Sequence, residues 1–210
     1  TRLYSKEDKL QNKYVNTYDS STGYLSETLI YDGNNTLLRK KAYIYDGLGK
    51  ISAFYEGENE NPSLTDYLRY TYDVKGNLIK VTYPSGSEIA EVEYVYNAYN
   101  YLTYIRVKNT LSGQSQTLRE YTYDDYHNII TIKDYLLSGE KYIKRNYSYN
   151  NLSYVTKINY VNSDDLTETI EEYNYTYDKA GNIVTEEIIN NNTSSAYHIL
   201  RSYTYNNKGM

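Results

Sequence analysis

The stretch Tyr70-Thr71-Tyr72-Asp73-Val74-Lys75-Gly76-Asn77-Leu78-Ile79-Lys80-Val81-Thr82-Tyr83 decides the fold. Tyr-x-Tyr has a period of two, so in a strand both rings stand on one face. The residue between them is β-branched, as a pleated surface favours. Asp73 then stops the strand, because its short side chain can fold back onto backbone N–H groups and start a turn. Gly76 takes the left-handed region without a Cβ penalty. A type I turn followed by one left-handed residue is a common hairpin connection. Strand character resumes at Leu78. The stretch therefore predicts a β-hairpin, with Tyr72 opposite Leu78 and Tyr70 opposite Lys80, so that a ring meets an aliphatic chain across the ladder.

The same tetrad, Tyr-x-Tyr-Asp/Asn, recurs along the chain at eight places. The tetrads are Asn16-Thr17-Tyr18-Asp19, Tyr43-Ile44-Tyr45-Asp46, Tyr70-Thr71-Tyr72-Asp73 and Tyr94-Val95-Tyr96-Asn97. Then come Tyr121-Thr122-Tyr123-Asp124, Tyr147-Ser148-Tyr149-Asn150, Tyr175-Thr176-Tyr177-Asp178 and Tyr203-Thr204-Tyr205-Asn206. Only the first lacks its leading Tyr. The second Tyr recurs at intervals of 27, 27, 24, 27, 26, 28 and 28 residues. The left-handed slot is Gly49, Gly76, Gly181 and Gly209 in four units, and Gly23 in the first after a one-residue insertion. Asn100, His127 and Ser153 fill it in the others, and Ser153 is the poorest fit, so its turn is expected to differ. Return strands such as Leu102-Thr103-Tyr104-Ile105-Arg106-Val107 and Ile183-Val184-Thr185-Glu186-Glu187-Ile188 follow. The apolar residues alternate and do not recur at helical spacing, which excludes a helical repeat. The chain reads as all-β: a single array over 1–210 of about seven to eight hairpin units of roughly 27 residues, truncated at both ends.

Composition agrees. The 210 residues hold 32 Tyr but one Phe and no Trp, and the anchor tyrosines account for fifteen of them. One hairpin buries too few rings to offset the roughly 1–2 kcal/mol per residue of backbone ordering. The units must therefore stack, each anchor pair packing on its neighbours. Net charge is −5, the wrong sign for a chain whose main partner is nucleic acid. Mean hydropathy is −0.79, and no apolar run reaches the length of a membrane span. There is no Cys, hence no disulfide framework and no thiolate chemistry. The start, Thr1-Arg2-Leu3-Tyr4, has neither an initiator Met nor a signal sequence, so the chain is expected to be a segment of something longer. Exposed strand edges at its ends invite edge-to-edge self-association.

Tyr70 to Leu78, and Tyr175-Thr176-Tyr177-Asp178-Lys179-Ala180-Gly181-Asn182-Ile183, resemble the YD repeat, also called the RHS repeat. That repeat occurs in bacterial RHS toxins, Gram-positive wall-associated toxins, Tc insecticidal toxins and animal teneurins. The resemblance spans essentially the whole chain. It implies tandem hairpins stacked into a curved, spiral β-sheet, a fragment of an RHS-type shell that encloses or displays an attached polypeptide such as a C-terminal toxin. It implies a secreted or cell-surface location. The family's self-cleaving core, with its Asp-Pro and Gly-rich motifs, has no counterpart here, since Pro62 and Pro84 follow Asn61 and Tyr83.

No constellation for catalysis is visible, so the chain reads as a non-enzyme with no cofactor and no metal. His127 sits in a turn and His198 in a presumed strand, far apart in sequence. The acidic pairs Asp124-Asp125, Asp164-Asp165, Glu171-Glu172 and Glu186-Glu187 would point to opposite faces of a strand, or sit in solvated loops. The site residues are structural: anchors Tyr18, Tyr43, Tyr45, Tyr70, Tyr72, Tyr94, Tyr96, Tyr121, Tyr123, Tyr147, Tyr149, Tyr175, Tyr177, Tyr203 and Tyr205. The turns rest on Asp19, Asp46, Gly49, Asp73, Gly76, Asp124, Asp178 and Gly181. Several tyrosines, including Tyr99, Tyr101, Tyr126 and Tyr154, fall at or near turns outside the anchor set. Exposed rings among Asn and Asp can stack on sugar faces, so the alternative function is a surface-adhesion module that binds a cell-surface glycan.

Overall fold

Each of the first seven tetrads closes one strand, and the residue six places later or so opens the next. In the computed structural model, which describes residues 12–84, 86–136, 141–163, 165–191 and 195–205, this gives the strands β1 (Lys13–Tyr18), β2 (Leu25–Tyr31), β3 (Leu37–Tyr45), β4 (Ile51–Gly57), β5 (Leu68–Tyr72), β6 (Leu78–Thr82) and β7 (Ile89–Tyr96). They continue as β8 (Leu102–Asn109), β9 (Ser115–Tyr123), β10 (Ile129–Tyr135), β11 (Tyr142–Tyr149), β12 (Val155–Asn162), β13 (Asp165–Tyr177), β14 (Ile183–Asn190) and β15 (Tyr197–Ser202). The strand order in the sheet is the chain order, β1 to β15, without a crossover. One short helical turn, Leu64–Asp66, interrupts the pattern. Among the described residues no helix is long and apolar enough to cross a membrane.

The chain forms two units. One is Thr1–Tyr94 with Val107–Ser115, the other Val95–Arg106 with Gln116–Met210. In the first, β1 through β7 pair antiparallel, each with the next. In the second, β9 through β15 do the same.

The turns follow from the Asp or Asn. The Asp73 carboxylate accepts from the backbone N–H groups of Lys75 and Asn77, both at 2.9 Å. Asp73 N donates to Asn77 O, and Gly76 N to Asp73 O. Asp46, Asn97, Asp124, Asn150 and Asp178 repeat this arrangement. The left-handed slots have φ of 80° at Gly49, 88° at Gly76, 74° at Asn100, 67° at His127 and 87° at Gly181. Ser153 does not depart from them, contrary to its chemistry. Its φ is 59°, and its N–H donates to Asn150 O at 3.0 Å. The Asn150 side chain and the flanking ladder fix the loop and hold Ser153 in a region that costs an L-residue roughly 1–2 kcal/mol. Gly209 lies outside the described residues.

The ladder corrects one pairing. Tyr72 does face Leu78, but Thr71 faces Lys80 and Tyr70 faces Val81. Ile79 is an extra residue, a β-bulge. The same slip occurs beside the turn in seven hairpins. A loop that ends on a left-handed residue brings the chain back one position out of step, and the bulge absorbs the difference. Tyr70 thereby covers a valine that is 7% exposed and not a lysine.

Burial is shallow. Ala42, Ala53, Tyr55 and Tyr67 form one buried cluster in the first unit. Val81 and Val92 are buried there as well, and Ile132, Val161 and Ile188 in the second unit. Tyr55 lies opposite Ala42, so a small side chain makes room for the ring. Its hydroxyl accepts from Asn59 N at 3.0 Å, which ties down the loop that Lys40 also holds through Glu60 O.

Two substitutions test the turn. Gly49→Ala should destabilise by about 1–2 kcal/mol or more, through left-handed strain and because a Cβ there would meet the Tyr24 hydroxyl. Ser153→Gly should stabilise by up to about the same amount. Denaturant unfolding of the two variants reads both signs.

Candidate functional site

The described residues put the anchor tyrosines to a use that their spacing does not reveal. The second Tyr of a tetrad donates its phenol O–H to a backbone carbonyl of the preceding hairpin. In the first unit, Tyr45 reaches Leu25 O and Tyr72 reaches Ile51 O, both at 2.9 Å. In the second, Tyr123 reaches Leu102 O (2.6 Å), Tyr149 Ile129 O (2.7 Å), Tyr177 Val155 O (2.6 Å) and Tyr205 Ile183 O (2.9 Å). The acceptor is always the first residue of a return strand. Leu25, Ile51, Ile129, Val155 and Ile183 each lie opposite the second Tyr of their own hairpin. Each such residue thus pairs with its own anchor through the ladder and is clamped by the next anchor through its carbonyl. A net hydrogen bond of this kind is worth about 1 kcal/mol.

In five tetrads the first Tyr lies across its own hairpin from its register partner. Tyr43 lies against Phe54, with ring centroids 5.2 Å apart. Tyr70 faces Val81, Tyr121 faces Ile132, Tyr147 faces Ile158 and Tyr175 faces Glu186. Tyr203, near the last described residues, donates to Glu186 Oε2 at 3.0 Å. Tyr94 and Tyr96 end β7 and Tyr18 ends β1, opposite Leu25. Burial, and secondarily the neighbouring Tyr83, raises the Tyr94 phenol above its ordinary range.

A second recurring contact comes from the residue that leaves each turn. Tyr24 packs on Tyr45 (4.9 Å), Tyr101 on Tyr123 (5.2 Å) and Tyr154 on Tyr177 (5.0 Å). Lys50 takes the same place over Tyr72, with its ammonium 4.9 Å from the ring centroid. These residues also lie against the left-handed slot of the next turn. A Cβ added at Gly49 or Gly181 would meet the hydroxyl of Tyr24 or Tyr154 at 2.5 Å. Where the slot is His127, Tyr101 stacks on the imidazole at 4.9 Å. Where it is Ser153, the shorter Asn128 reaches its hydroxyl at 3.4 Å. The preceding exit residue thus touches the slot whether that slot is Gly, His or Ser. Tyr101 and Tyr154 therefore belong to the packing. Tyr99 and Tyr126 remain 72% and 84% exposed.

The charged residues pair across strands. Glu172 meets Lys157 at 2.8 Å, Glu186 meets Arg201 at 2.7 Å and Glu187 meets His198 at 2.8 Å. Asp134 bridges Arg119 and Arg145. Alternation sends Glu186 and Glu187 to different partners on opposite faces. Such exposed pairs contribute on the order of 0–1 kcal/mol each. No group of three or more His, Asp or Glu among the described residues is placed to hold a metal ion. Asp164 lies outside the described residues.

The arrangement defines a class of protein: antiparallel hairpins chained through tyrosine clamps into a repeat sheet. This fold is shared with solved toxin assemblies. Over 96% of its length the chain is similar to a chain of the TcdB2-TccC3-TEV crystal structure, with a TM-score of 0.67 and 16% identity. Over 89% it is similar to a chain of the Photorhabdus luminescens Tc holotoxin pore, with a TM-score of 0.64 and 17% identity. It spans only 10% and 9% of those chains. No protein-family model and no curated protein sequence matches it.

The turns predict a pH dependence. Hydrogen bonds from the Asn77 and Asn182 amides, then from backbone N–H groups, hold Asp73 and Asp178 below the usual carboxylate range. Hydrogen bonds from Ser21 and Thr22 hold Asp19 at about 2. A depressed folded pKa gives stability that is present above the unfolded value of about 3.9 and is lost as pH falls through the folded value. Asp73→Asn with Asp178→Asn should flatten the decline below about pH 4, since Asn150 shows that an amide makes the same turn. At the other end, burial and then the charge of Glu171 push Tyr173 up to about 12. That contribution is intact below the ordinary tyrosine range and is lost as pH rises through the raised value. Urea midpoints against pH check both limbs.

Proposed function

We propose that this chain is a non-catalytic structural segment of an RHS/YD-repeat toxin-delivery or cell-surface protein. In this reading 1–210 is one continuous array of about seven to eight units, part of a β-sheet wall that encloses or displays another part of its own polypeptide, such as a C-terminal toxin. The observation that carries it is the recurrence of one interlock, a tyrosine hydroxyl on the carbonyl that opens the previous return strand, in hairpin after hairpin. An enzyme concentrates its unusual chemistry at one place, whereas here it is distributed evenly. The fold likeness to chains of the TcdB2-TccC3 and Tc holotoxin assemblies supports the same reading, and it carries with it secretion and a polypeptide partner. The carbohydrate-binding alternative loses Tyr101 and Tyr154 from its set of turn rings, because both are committed to packing.

The test uses the parent polypeptide. Limited proteolysis should spare the enclosed or attached segment in the intact protein. Tyr123→Ala, Tyr149→Ala and Tyr177→Ala together should expose it, while Tyr126→Ala should not. Equal cleavage of the attached segment in all forms would refute the enclosing role.

A further inference from the structure

The β9–β10 and β11–β12 hairpins meet at a place where the repeat leaves a ring uncovered. At four other junctions the residue that leaves one turn lies on the second Tyr of the next tetrad. Tyr24, Tyr101 and Tyr154 do so with a ring, and Lys50 with its ammonium. Between β10 and β11 the exit residue is Asn128, and it turns back to its own loop. Its amide donates to Asp124 Oδ2 at 3.0 Å and to Ser153 Oγ at 3.4 Å. Among the described residues neither a ring nor a cation is stacked on Tyr149, the tetrad tyrosine that Asn128 would otherwise cover. A pocket of about 470 Å³ opens there, lined by Tyr126, Ile130, Tyr147 and Tyr149 beside the turn residues. That volume is within the range of small-ligand sites. Tyr126 forms one wall and is 84% exposed.

The turn beneath the pocket already has its hydrogen bonds, so the pocket offers two other things: bare ring face and one negative charge. Asp124 is the one charged residue among the described residues that line it, and no Lys or Arg among the described residues pairs with it. Burial first, then the charges of Tyr147 and Asp124, raise the Tyr149 phenol above its ordinary range, so the carboxylate acts within electrostatic reach of that ring. The repeat shows what suits such a place, since it fills it three times with a flat ring and once with an ammonium. Ring pairs and cation–ring contacts are both favourable, and the carboxylate repels an anion. The Cβ at Ser153 does not bar a ring, because His127 fills the equivalent slot and Tyr101 stacks on it while packing on Tyr123. We propose that this pocket binds an arylalkylamine, a flat ring that carries an ammonium on a short stem. The ring takes the place of the exit tyrosine over Tyr149, and the ammonium faces Asp124. The site is independent of the structural role of the array, and its failure would leave that role untouched.

The probes are tyramine and phenethylamine, with 4-ethylphenol as the neutral comparison and 3-(4-hydroxyphenyl)propionate as the anionic one, read by saturation-transfer NMR on the intact protein. Both amines should give a saturable signal, 4-ethylphenol a weaker one and the propionate none. Asn128→Tyr supplies the repeat's own exit ring. It should keep or raise the melting temperature and weaken amine binding by about tenfold or more. Asp124→Asn keeps the turn, as Asn150 does. It should weaken tyramine by about fivefold and leave 4-ethylphenol unchanged, and it decides the matter should Asn128→Tyr melt early. Val74→Ser, at an exposed turn of the first unit, should leave binding unchanged. The proposal is overturned if neither amine binds, if the propionate binds as well as tyramine, if Asp124→Asn or a folded Asn128→Tyr binds tyramine as well as the natural chain, or if Val74→Ser abolishes binding.

Discussion

The fold depends on a phenol hydroxyl that meets a backbone carbonyl one hairpin away. A two-stranded hairpin is marginal in water by itself, and the turns described here hold only the two strands they join. The clamp is what makes a hairpin the business of its neighbour. Its acceptor is well chosen. The residue that opens a return strand sits beside a bulge, where the ladder is disturbed, so its carbonyl is open to a side chain. Phe could fill the same volume but could not satisfy that carbonyl. This accounts for Tyr, and not Phe, at the second position of the tetrad.

The turns and the clamps reinforce one another. Asp or Asn fixes the loop, the left-handed residue sets the return direction, and the bulge brings the leading Tyr over its partner. The exit residue then lies on the second Tyr of the next unit and on its left-handed slot. Glycine is required at Gly49 and Gly181 for two reasons, the sign of φ and the ring lying over it. At His127 the second reason is reversed, because the imidazole is itself the surface on which Tyr101 stacks.

Much of this was legible in the residues and some was not. The all-β class, the hairpins and the turns followed from Tyr-x-Tyr-Asp and the spacing of Gly. The register beyond the turn did not. A period-two pattern marks faces but not a slip, so it places Lys80 opposite Tyr70, which in the ladder faces Val81. The intrinsic preference of Ser153 argues against the left-handed region, and the Asn150 side chain overrides it. A further Asp turn at Asp32, between β2 and β3, falls outside the repeat interval, although Leu29-Ile30-Tyr31-Asp32 imitates the tetrad. The roles of Tyr101 and Tyr154 were hidden because sequence order places them in turns, while their contacts lie one unit further on. Their regular place after the left-handed slot, shared with Tyr24, was the available signal.

The most direct test removes one hydroxyl and watches the hairpin that loses its clamp. Native-state hydrogen exchange on Tyr149→Phe keeps the ring and deletes the bond to Ile129 O. If the clamp joins units, protection falls in the β9–β10 hairpin as well as in β11–β12, because local openings spread through a shared cooperative unit. Loss confined to β11–β12, or no loss at all, would contradict the account.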